Sequence, residues 1–475
     1  MKRGVALLLA SLLASAAPAE ELWIRDVRVI DGTGAPPREG LSVIVREGRI
    51  AALGSGISGT ADARIIDGAG LTLLPGLIDS HVHFVAAPGS GQRGDSDATV
   101  AELNRIHLRA YLACGVTTVL DAGAFPEVVR DLQAALAAGH PGPRYLTVGP
   151  FVRPKNGYGH PRFGEEETPA DVERKLDLIV SLSGAGVKTA IEPVLGDAEP
   201  LSEELWQALE VGARKRGLPI FVHARTEEAQ RAALQHGAHA LMHAALDVPL
   251  LGEWLAKPDL SDEFVAALAK SGAYQLTTLL LVDTWPGLYD PARLDDLLLR
   301  LIVPPLELET ARAMGAEERF AEGALGFAVP LSPRSWRPWL ARTFLSRAHL
   351  ESALRQGQRN LVWLHRAGVP IVVATDAPSP WPDAIYHFHG PQTAREVELL
   401  GAAGVAPLAA IAAATAVPAR MLGLAGEIGT VEAGKRADLV LVEGDPSRDL
   451  RALQRVRWTL RDGVARTPEE WMRAE

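Results

Sequence analysis

The sequence predicts an α/β fold, a (β/α)8 barrel of parallel strands, and three observations predict it. Short apolar runs end in a metal-competent side chain: Ile220-Phe221-Val222 before His223, Ala238-His239-Ala240-Leu241-Met242 before His243, and Ile371-Val372-Val373-Ala374-Thr375 before Asp376. Helix-like stretches closed by glycine precede such runs, as in Ala213-Arg214-Lys215-Arg216-Gly217 and Leu364-His365-Arg366-Ala367-Gly368. That alternation is the signature of a parallel sheet. In a barrel the C-terminal strand ends converge on one mouth, so residues distant in sequence can share one cluster. A chain of 475 residues is also long enough for one large domain with a smaller companion.

At the N-terminus, Met1-Lys2-Arg3 is followed by an apolar run from Gly4 to Ala14 and then by Ala17-Pro18-Ala19. A basic start, a short apolar centre and small residues at the end predict a signal peptide over residues 1–19, cleaved near Ala19, and so a secreted, periplasmic protein. The apolar run is short for a bilayer span, and no cysteine follows it to carry a lipid. No membrane span is expected in the mature chain. A net charge of −10 with mixed signs gives no hint of nucleic-acid binding. Cys114 is the sole cysteine, which excludes an intrachain disulfide. Its setting, Tyr111-Leu112-Ala113-Cys114-Gly115-Val116, favours a buried apolar filler over a catalytic thiol.

From Glu21 to Leu74 short strands alternate with turns. Trp23 to Ile30 and Leu41 to Arg46 carry the period of two expected for half-buried strands, and Asp31-Gly32-Thr33-Gly34 and Glu47-Gly48 read as turns. The most informative stretch comes next. Asp79-Ser80-His81-Val82-His83 follows the apolar run Leu71 to Ile78. Extended backbone puts residues i and i+2 on one face, so both imidazoles can reach one ion from a strand end. With His223, His243 and Asp376, the donor set suits zinc or a similar divalent cation.

The blocks Pro75-Gly76-Leu77-Ile78-Asp79-Ser80-His81-Val82-His83 and Glu427-Ile428-Gly429-Thr430-Val431-Glu432-Ala433-Gly434-Lys435-Arg436-Ala437-Asp438-Leu439-Val440 resemble the amidohydrolase superfamily, metal-dependent hydrolases built on a TIM barrel. The resemblance covers nearly the whole mature chain and is strongest to the prolidase and imidazolonepropionase-like subgroup. It implies a small flanking β-sandwich built from both chain ends (residues 20–75 and 427–475) beside a barrel over residues 76–426. Two divalent ions, Zn2+ first, would be shared by His81, His83 and Asp376 on one side and His223 and His243 on the other. Gly186-Val187-Lys188-Thr189-Ala190-Ile191-Glu192 resembles the strand-four motif whose lysine is carboxylated by carbon dioxide, making Lys188 the bridging ligand. The run before Lys188 is one residue short of the family pattern, which leaves Glu192 as a rival bridge.

The resemblance implies a reaction too: a hydroxide shared by the ions attacks an amide carbonyl of a small peptide or N-acyl amino acid, and Asp376 carries the proton to the leaving nitrogen. Arg225 is a candidate partner for a substrate carboxylate, with a surface ion pair as the alternative. His160, in Tyr158-Gly159-His160, matches a substrate-touching loop of the relatives. His387 and His389 form another His-x-His, but Ser379-Pro380-Trp381-Pro382 separates them from the strand end, which favours a pocket wall or solvated loop. Ala394 stands where the relatives carry histidine. The irregular stretch from Thr284 to Arg342, with Trp285, Trp336 and Trp339, has the length of a lid or partner surface. A mononuclear deaminase or cyclic-amide hydrolase is the alternative activity. Deaminase relatives place a glutamate three residues after the strand-five histidine, where this chain has Thr226 and then Glu227. A homo-oligomer is compatible with the resemblance, and no interface is legible.

Overall fold

The computed structural model describes residues 21–88, 90–191, 199–245, 259–287, 291–313, 347–378 and 387–474. The strands in chain order are β1 (Leu22–Val29), β2 (Arg38–Arg46), β3 (Arg49–Gly54), β4 (Arg64–Asp67) and β5 (Leu71–Pro75), then β6 (Leu77–Val82), β7 (Val116–Asp121), β8 (Arg144–Thr147) and β9 (Val187–Ala190). β10 (Ile220–His223), β11 (Ala240–Met242), β12 (Tyr274–Leu276) and β13 (Ile371–Val372) follow, and β14 (Leu439–Glu443), β15 (Val456–Arg461) and β16 (Val464–Arg466) close the chain.

Both ends of the chain meet, as expected, but in one sheet. Its order is β16-β15-β14-β5-β1-β2-β3, with β4 also on β1. Pairing runs through it without a division into two sheets. The alternation expected in β1 holds on either side of a register shift at Arg25 and Asp26: Leu22, Ile24, Val27 and Val29 are buried and pack with Val43, Val45, Leu73, Leu439, Leu441 and Leu460. Each such side chain contributes about 1.5–3 kcal/mol on leaving water.

The apolar run Leu71 to Ile78 is two strands. β5 belongs to the flanking sheet and β6 to the barrel region, and Gly76 is the crossing point. A Cβ there would lie 2.1 Å from Thr117 Oγ1, so only glycine lets the two layers approach this closely.

The βα alternation produces two parallel arcs, β6-β7-β8 and β13-β12-β11-β10-β9. Gly217 and Gly368 sit at helix ends with φ of 67° and 89°, the left-handed conformation that glycine adopts without strain. The expected closed barrel is not closed by strand pairing. At one seam Ala185 N–H donates to Thr147 (2.7 Å) and Val152 N–H to Lys188 (3.0 Å). At the other, Ser80 N–H donates to Val373 (3.2 Å), His83 N–H to Ala377 (2.8 Å) and Asp376 N–H to His81 (2.7 Å). The cause is local: β13 is two residues long, and the chain leaves extended conformation at Asp376, where φ is 62°.

The described part of the long insertion, Pro291–Asp295, Leu297–Ile302 and Pro305–Ala313, buries Leu294, Ile302, Val303, Leu308 and Ala311 against Leu112, Cys114, Phe388 and Trp471. Trp336 and Trp339, the Trp285 side chain, Ser379 to Pro382, Glu192 and residues 1–19 lie outside the described residues. Cys114 is a buried filler, as expected, and burial raises its thiol far above its ordinary value. Among the described residues no helix is long and apolar enough to cross a membrane.

Candidate metal centre

His81, His83 and Asp376 come together at the seam between β6 and β13. His81 Nε2 lies 3.2 Å from His83 Nε2, and both nitrogens lie 3.1 Å from Asp376 Oδ1. Among the described residues this is the one group with ligand atoms all within 4.8 Å of one another. Simple alternation does not suffice to place them. The β6–β7 register shifts between Asp79 and Val82, so β6 carries an extra residue around Ser80 and His81. Such a bulge re-aims side chains.

The donor set fits a divalent cation. His83 Nδ1 lies 3.2 Å from the Gly123 carbonyl, which can only accept, so Nδ1 carries the proton and Nε2 presents a lone pair to the cluster. Burial, reinforced by Lys188, pushes His81 down to about 3, so it too is a neutral donor. Burial opposes ionisation of Asp376, yet positive charge on the facing His81 and His83 rings pulls it well below the usual carboxylate range, a part that a bound cation would play when the rings are neutral. Two neutral imidazoles and a carboxylate converging on one point make a zinc-type ligand set. The His83 and Asp376 side chains keep 14% and 18% exposure, so solvent and ligand can reach this group.

Aspartate 79 builds the support beneath. It is fully buried, and its Oδ1 accepts from the N–H of Thr375 (3.1 Å) and His81 (3.4 Å). Its Oδ2 accepts from the hydroxyls of Thr375 and Thr393, both at 2.8 Å. Burial raises this carboxyl to about 6 against those bonds. Asp79 thus ties β6 to the loop after β13, next to Asp376.

Lys188, His223 and His243 approach from β9, β10 and the end of β11. Lys188 is buried, and its Nζ lies 3.0 Å from His81 Nε2. Burial lowers it to about 8, against the pull of Asp376 and Asp121. The His223 and His243 rings pack edge to face at 4.3 Å, and His243 lies 5.0 Å from the His81 ring. His243 Nδ1 is 4.0 Å from Asp376 Oδ2. Burial holds both well below the ordinary histidine value, with Arg225 adding to the effect at His223. The six residues expected to bind metal therefore sit together.

The expected substrate contacts divide. Arg225 is near enough to His223 to disfavour its charge. His160 is exposed at its own turn, where Nδ1 accepts from Arg162 N–H at 3.1 Å and the ring meets Phe125. The neighbouring Tyr158 is the residue that covers the centre, its ring 4.7 Å from that of His223. The buried Arg153 holds this loop by donating to the Gly157 and Tyr158 carbonyls. His387 and His389 are buried rather than solvated. His387 Nε2 donates to the Thr375 carbonyl (2.9 Å), and His389 Nδ1 meets Tyr111 Oη (2.8 Å).

With this geometry in place, comparison with known proteins decides the family. The amidohydrolase family model matches residues 72–257 and 327–465. The chain belongs to the amidohydrolase family. Members of this family generally bind divalent metals. The chain is similar to an imidazolonepropionase of Aromatoleum aromaticum, 28% identical, over 91% of this chain and 93% of that one. A dihydroorotase of Anaeromyxobacter sp. (strain K) is 32% identical over 43% of this chain, which spans 42% of that relative's length. A solved Xaa-Pro dipeptidase with bound methionine shares the fold, with a TM-score of 0.69 at 21% identity, covering 94% of this amidohydrolase and 100% of that chain.

Proposed function

We propose that this amidohydrolase cleaves the amide bond of a small peptide or N-acyl amino acid at a centre of two divalent ions, zinc in the first instance. The observation that carries the reading is the convergence of His81, His83 and Asp376, with Lys188, His223 and His243 packed beside them. His81, His83 and Asp376 would hold one ion, and His223 and His243 the other. Lys188, once carboxylated, would be the bridging ligand, since an amine lowered to about 8 is readily available in the neutral form that adds carbon dioxide. The two arcs complete one barrel, flanked by the sheet of both chain ends.

Bound divalent ions supply hydroxide near neutral pH and polarise the substrate carbonyl. Asp376, ionised and partly exposed, accepts the proton released on attack and passes it to the leaving nitrogen. Arg225 pairs with the substrate carboxylate, Tyr158 walls the pocket, and His160 reaches substrate only when its loop leaves Arg162. The signal peptide places the mature enzyme in the periplasm.

One observation favours a second reading. The relative matched over 91% of the chain is named for an imidazolone, a cyclic amide, so a cyclic-amide hydrolase is the alternative. Deamination has less support. Thr226 caps the helix Glu227–Gln235, and Glu227 is engaged by Ser261 and Arg231.

The test is product release by the zinc-supplemented mature chain from a panel of dipeptides, N-acyl amino acids, cyclic amides and aminated bases, read by mass spectrometry. Free amino acids are expected. Ring opening without amino-acid release selects the alternative, and a deaminated base overturns both.

A further inference from the structure

The turns after β11 and β12 each hold a non-glycine residue in a strained backbone conformation. Thr278 is β-branched yet has φ of 41°, and His243 has φ of 126°. Side chains rarely adopt either value, and β-branched ones least of all, unless neighbours enforce it. The enforcing contacts are on the page. The His243 carbonyl accepts from the side-chain amides of Gln230 (3.2 Å) and Gln275 (2.5 Å), both fully buried. His243 Nδ1 lies 3.1 Å from Thr278 Oγ1. The N–H groups of the next two residues, Leu279 and Leu280, each donate at 2.8 Å to one oxygen of Glu396.

Glu396 is fully buried on the helix Pro391–Ala403. A carboxyl in that position carries a large desolvation cost, which it offsets only by its bonds. Those bonds fix the start of the helix Leu280–Gly287 and, through it, Thr278. The helix Pro391–Ala403 also carries Thr393, three residues from Glu396, which reaches Asp79 beneath His81 and Asp376.

We infer that Glu396 is a positioning residue for the second ion: by clamping Leu279 and Leu280 it fixes Thr278, which orients the His243 ring. A histidine that donates Nδ1–H to Thr278 keeps its Nε2 lone pair for a ligand. This inference rests on the two-ion reading above.

The experiment is zinc titration of the metal-stripped full chain against a competing chelator, with thermal unfolding of the same stripped samples. In Glu396→Gln an amide faces one of the two N–H groups, and in Thr278→Val the hydroxyl is lost while the shape is kept. Each variant is expected to weaken the second ion about 10–100-fold and to leave the first within about threefold. Thr278→Ser should retain wild-type affinity. The double variant should be no weaker than the worse single one, because the two residues act in series. Unchanged second-ion affinity in folded variants, or equal weakening of both ions, overturns the inference alone. A wild-type chain that binds fewer than two ions overturns the two-ion reading and this inference with it. Should Glu396→Gln fail to fold, the Thr278→Val and Thr278→Ser pair decides the matter.

Discussion

The two groups of candidate metal residues are built by different means. His81, His83 and Asp376 come from neighbouring strands, and seam hydrogen bonds between backbones already bring them within 3.2 Å of one another. Lys188, His223 and His243 come from three strands of the other arc and meet mainly as packed side chains. There, orientation depends on Thr278, Gln230, Gln275 and, at one remove, Glu396. The first group is drawn across the unclosed seam by a few backbone bonds and the Asp79 hub, whereas the second stands on strands with regular ladders and is oriented by buried polar side chains.

The sharpest way to test that difference is Asp376→Asn. It should keep most bound metal and lower kcat by about 10²–10⁴-fold, the usual worth of a positioned proton carrier. Substantial residual turnover would remove Asp376 from that role. Next in size, Lys188→Ala should lose one ion of the two, with partial recovery of metal content and activity in the presence of short carboxylic acids. Normal occupancy, measured by elemental analysis, would move the bridge to Glu192. Asp79→Asn should cost about 1–3 kcal/mol in denaturant unfolding, because a buried acceptor for four donors becomes partly a donor. An unchanged midpoint would mean the first group does not depend on that hub.

The smallest effect concerns pH. Burial raises Glu396 to about 8, against its bonds to Thr277, Leu279 and Leu280. The folded state therefore binds more protons than the unfolded one between the ordinary glutamate value and about 8. Stability of the metal-stripped protein from this group is full below that window, declines as pH rises through it, and is flat above. Glu396→Gln should flatten the decline measured by thermal unfolding across pH 5 to 8. An identical slope in the variant would assign it to Asp79 and Asp121, which burial raises to about 6.

The convergence of these side chains was legible in the sequence because metal-competent residues at strand ends leave a short, local mark. Apolar runs ending in His223, His243 and Asp376 needed only the barrel topology to become one cluster. The strand limits were less legible. The run Leu71 to Ile78 reads as one largely apolar stretch, and Pro75-Gly76, where Gly76 meets Thr117, is the point at which one sheet ends and the next begins. The bulge around His81 is also silent, since a register shift depends on the partner strand. Supporting residues were hardest to read. Thr278 and Glu396 are 118 positions apart and act through backbone N–H groups, which carry no side-chain signature. Tyr158 lay in a run already singled out, but histidine chemistry drew attention to His160, whose nitrogen serves its own turn.

The interleaving of chain ends in the flanking sheet has a consequence for synthesis. β14 lies between β5 and β15, and Leu439 pairs with Pro75. At ordinary elongation rates β14 leaves the ribosome roughly 20–70 s after β5. Throughout that interval one edge of β5 has no partner, a template for wrong strand pairing. A chain ended before residue 439 would bear every candidate metal residue yet still present that open edge.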